Sequence, residues 1–235
     1  MGGIRGSLWT GLAVDSLTLA MPATGLEVEG NQLELQWSPL ALLQGVVQID
    51  RLFAASLAVA LPQEPSPEEQ PKEPADGPPS LPLAIRLTAL DLPEILIADP
   101  TSGRRFSYAV TASGAVGKRA AGLALTLTPR EEDLDRLTVD LAFDADRREL
   151  RAEIDGRFHR TGIAMTLAGL PPEEAADITL TLKGEGPAEQ WQGNLHLAAS
   201  DFAELAGKIG LSLDHRQLGF TFSGTAGILG KLSAE

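Results

Sequence analysis

The side chains able to do chemistry are scattered along this chain. His159, His196 and His215 fall on separate strand or turn segments, and none stands two or four residues from another. A metal centre is built from ligands that converge at such spacings, so the histidines do not make one. Glu131, Glu132 and Asp133 form one acidic run, and Glu173 with Glu174 another. Neighbours in one loop do not face each other across a cleft, as a general acid and base must. Ser102, Ser113 and Ser223 each precede glycine, but none stands in Gly-x-Ser-x-Gly. Residues 224–231 approach a phosphate loop, with the first glycine misplaced by one and Leu232 where Ser or Thr would meet magnesium. With no cysteine, there is no thiolate ligand, thiol nucleophile or disulfide. The expectation is a protein that is not an enzyme and holds no cofactor or metal.

What the chain does contain is alternation. Leu137, Val139, Leu141 and Phe143 alternate with Thr138, Asp140, Ala142 and Asp144; after a polar turn, Leu150, Ala152 and Ile154 alternate with Arg151, Glu153 and Asp155. Strand side chains point to opposite faces with period two, so each strand has one apolar and one wet face. The pattern recurs at Leu33–Trp37, at Leu83, Ile85 and Leu87, at Leu123, Leu125 and Leu127, at Ile178, Leu180 and Leu182, and at Leu218, Phe220 and Phe222. Ile163, Met165 and Leu167 read the same way. About fifteen short strands are expected, in an antiparallel all-β arrangement. At Asp15-Ser16 the alternation slips by one, which predicts a bulge or break, and Gly30-Asn31 reads as a turn.

Helix is sparse. Ser38-Pro39-Leu-Ala-Leu-Leu-Gln-Gly45 predicts a short helix over 39–44, with Ser as N-cap, Pro at the first position and Gly as C-cap. Leu40, Leu42 and Leu43 would plug the end of a sheet. Another single turn is expected at Asp201–Leu205. Trp9, Trp37 and Trp191 read as packing residues.

Three segments follow: an N-terminal β segment over 1–61, an acidic proline-rich linker or loop over 62–82, and a repetitive β segment over 83–235. The middle one holds eight of the 16 prolines and five acids against Lys72 alone. The chain has 235 residues, 19 basic and 32 acidic, for a net charge of −13. That excludes a nucleic-acid footprint and gives no polybasic membrane patch. No stretch approaches the roughly 20 apolar residues of a membrane-spanning helix, and the first residues show no apolar signal core. A segment of a longer protein is expected.

With no helix of length to cover it, the apolar face must meet another sheet, close on itself, or hold something apolar. Periodicity does not separate a closed sandwich core from an open groove.

Residues 7–61 resemble the N-terminal part of the TamB family. The resemblance lies in Ser7-Leu-Trp-Thr-Gly-Leu-Ala-Val-Asp-Ser-Leu-Thr-Leu19, and in Trp37-Ser-Pro-Leu-Ala-Leu-Leu-Gln-Gly45 followed by Ile49-Asp-Arg-Leu52. Residues 83–235 are similar more loosely, through the monotonous β pattern. The resemblance implies an elongated curled antiparallel sheet, a β-taco with an open groove and a few single-turn helices. It implies a periplasmic location, tethered to the inner membrane by a helix that this chain does not include. It also implies transport of phospholipid between membranes, outer-membrane assembly, and a TamA-like outer-membrane barrel as partner through parts not in this chain. Carried onto this sequence, the groove would be lined by Leu83, Ile85, Leu87, Leu137, Val139, Leu141, Leu150, Ile154, Ile178, Leu180 and Leu182. Two other readings stand beside it: a chaperone-like module that binds outer-membrane strands by β-augmentation, and a closed ligand-binding sandwich.

Overall fold

The computed structural model describes residues 3–7, 9, 11–21, 26–60, 83–99, 103–132, 134–170, 172–200, 203–214 and 217–228. The acidic proline-rich stretch, Ser102, His215 and residues 229–231 of the loop-like glycine run lie outside them. The fold is all-β, in two units, Met1–Lys118 and Arg119–Glu235.

The first unit holds β1 (Ile4–Ser7), β2 (Gly11–Met21), β3 (Leu26–Trp37), β4 (Val46–Ala60), β5 (Ala84–Ala98) and β6 (Arg105–Val116). They form one sheet in sequence order, with β1 and β6 at opposite ends of that order, so the sheet is open. All pairs described are antiparallel except β4–β5, which is parallel. A parallel neighbour needs a crossover of a dozen or more residues. The 23 residues between Ala60 and Ala84 are long enough for that return.

The strands are longer than their hydrophobic runs suggest, because apolar steps of three interrupt the steps of two. In β2 the step falls between Val14 and Leu17, in β3 between Gly30 and Leu33, in β4 between Ala54 and Leu57, and in β5 between Leu92 and Ile95. These breaks lie side by side. Ser16, Asn31 and Ser56 are in register along the line, and Asn31 donates to the Ser56 hydroxyl at 3.2 Å. Gln32 takes φ +50 there, so Gly30-Asn31 marks a kink within one strand and not a turn between two. Pro93 sits at the β5 irregularity, where a missing donor is tolerated. The register between β2, β3, β4 and β5 runs unshifted through this line, and only β5 against β6 slips there, between Leu92 and Ile95.

Between β3 and β4 lies the expected short helix, a 3-10 helix over Pro39–Gln44 ended by Gly45 at φ 73. Ser38 makes no side-chain cap. Its hydroxyl donates instead to Asp50 at 2.6 Å, and the Gln48 amide donates to the same carboxylate at 2.7 Å. These two donors, Ser38 first, hold the Asp50 carboxyl below its usual range. Leu40, Leu42 and Leu43 do not plug the sheet: Leu40 and Leu43 are 70% and 86% exposed. The 3-10 helix is only two turns long and leaves these leucines facing solvent. Trp9 is likewise exposed and not packed, whereas Trp191 is buried.

The second unit holds β7 (Ala120–Pro129), β8 (Arg136–Asp144), β9 (Glu149–Phe158), β10 (Ile178–Pro187), β11 (Gln190–Ala199), β12 (Ala203–Asp214) and β13 (Gln217–Ile228). It is an open antiparallel sheet, again in sequence order. Residues 203–205 belong to β12, so no helical turn covers them. The stretch read as a strand at Ile163, Met165 and Leu167 is a helix, α1 (Ile163–Leu167). Three apolar residues at i, i+2 and i+4 suit a strand, but the first and last also share a helical face. What decides it is Asp135, 99% buried, whose carboxylate accepts the His159 and Ala164 backbone N–H groups, both at 2.8 Å. A nearby carboxylate at the helix start satisfies an orphan donor of the first turn.

Candidate functional site: an apolar face on an open sheet

Residues directly opposite in a ladder share a face, so the register itself draws the surface. In the second unit one row runs Leu127, Leu137, Gly156, Leu180, Leu197, Leu205, Ala226 from β7 to β13. The next runs Leu125, Val139, Ile154, Leu182, Leu195, Gly207, Gly224, and a third Leu123, Leu141, Ala152, Gly184, Gly193, Ile209, Phe222. Leu150 lies opposite Phe143, and Ile178 opposite Phe158. The eight expected positions on β8, β9 and β10 therefore stand on one face. So do Leu123, Leu125, Leu195, Leu197, Leu205, Ile209 and Leu211, which the alternation of single strands did not pick out as part of a shared surface.

In the first unit, Leu12, Leu35, Leu52 and Leu90 make a row across β2 to β5. Leu19, Val28, Val59 and Ile97 make another, and Phe106 continues it on β6. Ile85 and Leu87 lie on this face opposite Val47 and Ile49. Leu83, just before β5, is 40% exposed.

In the second unit the described strands pack only against their ladder neighbours, whereas in the first unit Phe106 is buried. Val139, Ile154, Leu180 and Leu182 are half-buried, and Leu123 and Phe222 are 41% and 46% exposed. The inner face of a closed sandwich is packed on both sides. The face of the second unit is not.

Two aromatic rings lie flat where the rows carry glycine. The Trp191 ring covers Gly184 and Gly193, and Phe222 covers Gly207 and Gly224. Gly184 is part of β10, and the chain reverses at Ala188-Glu189.

The opposite face is wet and cross-linked. Lys183 donates to its ladder partner Glu153 at 2.6 Å, which holds the Glu153 carboxyl low and raises the Lys183 ammonium. Arg51 reaches Glu34 at 3.8 Å and Asp91 at 3.6 Å and lies 4.7 Å from the Phe53 ring centroid. The described histidines serve structure: His159 meets Thr161 and Asp177, and His196 meets Glu204. Asp177 accepts the Arg160 backbone N–H at 2.8 Å; that bond first, then the charges of His159 and Arg160, hold its carboxyl below the usual range. Among the described residues no three His, Cys, Asp or Glu side chains cluster to hold a metal, and no helix is long and apolar enough to cross a membrane.

A family model described as TamB, N-terminal domain, matches residues 1–149. The chain belongs to the TamB family. The match reaches past the short Trp37–Gly45 motif and past the acidic proline-rich stretch, as far as the first residue of β9. The family is one of transport and assembly proteins and not of enzymes, which gives this TamB-family chain an envelope role in outer-membrane assembly or lipid transport. No curated protein and no solved structure matches the chain.

Proposed function

We propose that this TamB-family chain is a periplasmic segment that conducts phospholipid acyl chains along its apolar sheet faces. The observation that supports the reading is the unbroken set of apolar rows across β7 to β13, half-exposed and without a covering layer. Each acyl CH₂ hidden from water gains about 0.8 kcal/mol. Rows of near-equal aliphatic side chains offer a tail many equivalent resting places, so it slides with no bond made or broken while the headgroup stays in solvent. Leu83, Ile85, Leu87, Leu137, Val139, Leu141, Leu150, Ile154, Ile178, Leu180 and Leu182 would line the path. Phospholipid is the cargo in this reading, and a TamA-like outer-membrane barrel is the partner.

The test is to express the chain in bacteria, purify it gently and extract it for lipid mass spectrometry, alongside Val139→Asp and Leu180→Asp. Phospholipid on the parent and none on the variants, with circular dichroism unchanged, is the expected result. A folded parent that carries no lipid sinks the reading.

A second reading, strand addition to an outer-membrane protein, is favoured by β13. It ends the strand order of its unit, and its twelve residues contain no Lys, Arg, Asp, Glu or Pro. Such residues commonly protect a sheet edge. This reading expects an extended alternating peptide to bind saturably, and Thr221→Lys to abolish that binding.

A further inference from the structure

A cavity of about 310 Å³ opens at one rim of the second unit, where β8 begins, β9 ends and β10 begins. Its polar wall includes Arg136, Arg157 and Thr179, and its apolar wall includes Phe158 and Ile178. Arg136 and Arg157 are direct ladder partners across β8–β9, and Thr179 is the partner of Arg157 across β9–β10. Side chains so opposed have β-carbons about 5 Å apart, where like charges repel.

Neither guanidinium has an ion pair or hydrogen bond among the described residues. Elsewhere in the unit, Arg147, Arg148, Arg151 and Arg160 each reach a carboxylate. Two acids do line the cavity. Asp177 is already engaged by Arg160 and His159. Glu132, exposed on the loop after β7, pairs with neither arginine. Two positive charges therefore line one small cavity, and among the described residues no carboxylate pairs with either.

We propose that Arg136 and Arg157 form a binding site for a phosphate group, with the Thr179 hydroxyl as a third donor. Guanidinium groups present paired N–H donors that suit phosphate oxygens. The phosphate could be a lipid headgroup at the rim of the apolar face, beside Phe158 and Ile178, or a free phosphate. Only the lipid source rests on the function proposed above.

The test titrates the whole chain by calorimetry with inorganic phosphate and, separately, with dihexanoyl phosphatidic acid below its micelle concentration. The Arg136→Gln/Arg157→Gln double variant is compared with Arg119→Gln, an exposed arginine outside the cavity. Saturable binding that weakens at least ~tenfold in the double variant and holds in Arg119→Gln is expected. Tighter binding of the lipid than of phosphate assigns the site to a headgroup; equal binding assigns it to free phosphate. Val139→Asp leaves phosphate binding intact, so failure of the acyl groove and failure of this site read differently. Relief of repulsion also predicts a higher urea midpoint for Arg157→Gln in phosphate-free buffer. No saturable binding of either probe to the folded parent, or binding that survives the double substitution, overturns the proposal.

Discussion

The ring of Trp191 stands where a side chain on Gly184 would go: a β-carbon there would meet Cζ2 at 2.4 Å. The same ring leaves 2.6 Å at Gly193, and its Nε1 is buried with no hydrogen-bond partner. Packing alone holds the indole flat, and the glycines make room for it.

Gly184→Ala and Gly193→Ala should each lower unfolding stability by about 1–3 kcal/mol through overpacking against the ring. Urea titration of the single variants measures it. With Trp9 and Trp37 replaced, the remaining fluorescence should resist acrylamide in the parent and become quenchable in Gly184→Ala. Unchanged stability and quenching would mean the indole does not rest there.

Asp135 ties the end of β9 to α1. Asp135→Ala orphans the half-buried His159 and Ala164 N–H groups and should cost about 1–3 kcal/mol. Native-state hydrogen exchange should show those two amides losing protection first. Gly162→Ala should be comparably damaging, since its β-carbon would fall 1.8 Å from Asp135 Oδ1.

The Ser38–Asp50 bond makes a pH-dependent contribution. The folded Asp50 carboxyl lies below its reference value of 3.8, so the ionised form favours the fold. That contribution is present above pH 3.8 and is lost as the pH falls through the folded value. Ser38→Ala should therefore cost at most about 1 kcal/mol at neutral pH. Its stability should converge with the parent's in strong acid, as chemical unfolding at a series of pH values will show.

Gln32 occupies a positive-φ position on the kink line. Gln32→Val should destabilise by about 1–2 kcal/mol, because a branched β-carbon crowds the backbone in that region. Gln32→Gly should hold or raise the thermal midpoint. By contrast Arg51→Gln, despite two acidic partners and Phe53, should change stability by less than about 1 kcal/mol, since the pairs are solvent-exposed.

The strands and their faces were legible because alternation of Leu137, Val139 and Leu141 against Thr138 and Asp140 admits only one periodicity. Even the slip at Asp15-Ser16 was visible. That it belonged to a line through Gln32 and Pro93 was not, since registry between strands is set by pairing and not by any one strand's residues. The parallel β4–β5 pair escaped for the same reason: residue types in Val46–Ala60 and Ala84–Ala98 do not state direction. Helix α1 escaped because Asp135, 29 residues before Ala164, decides it. The Trp191–Gly184 contact was hidden because it crosses from β11 to β10, and neither strand's own alternation states where the ring of the other will lie.

In the second unit every strand is bonded only to its neighbours in sequence. A hairpin duplicated or deleted within such a ladder rewrites two pairings and leaves the others as they were. The reach of the sheet can therefore drift over evolutionary time by whole hairpins, without a new core having to be invented at each step. A protein built this way can be cut to the distance it has to cross.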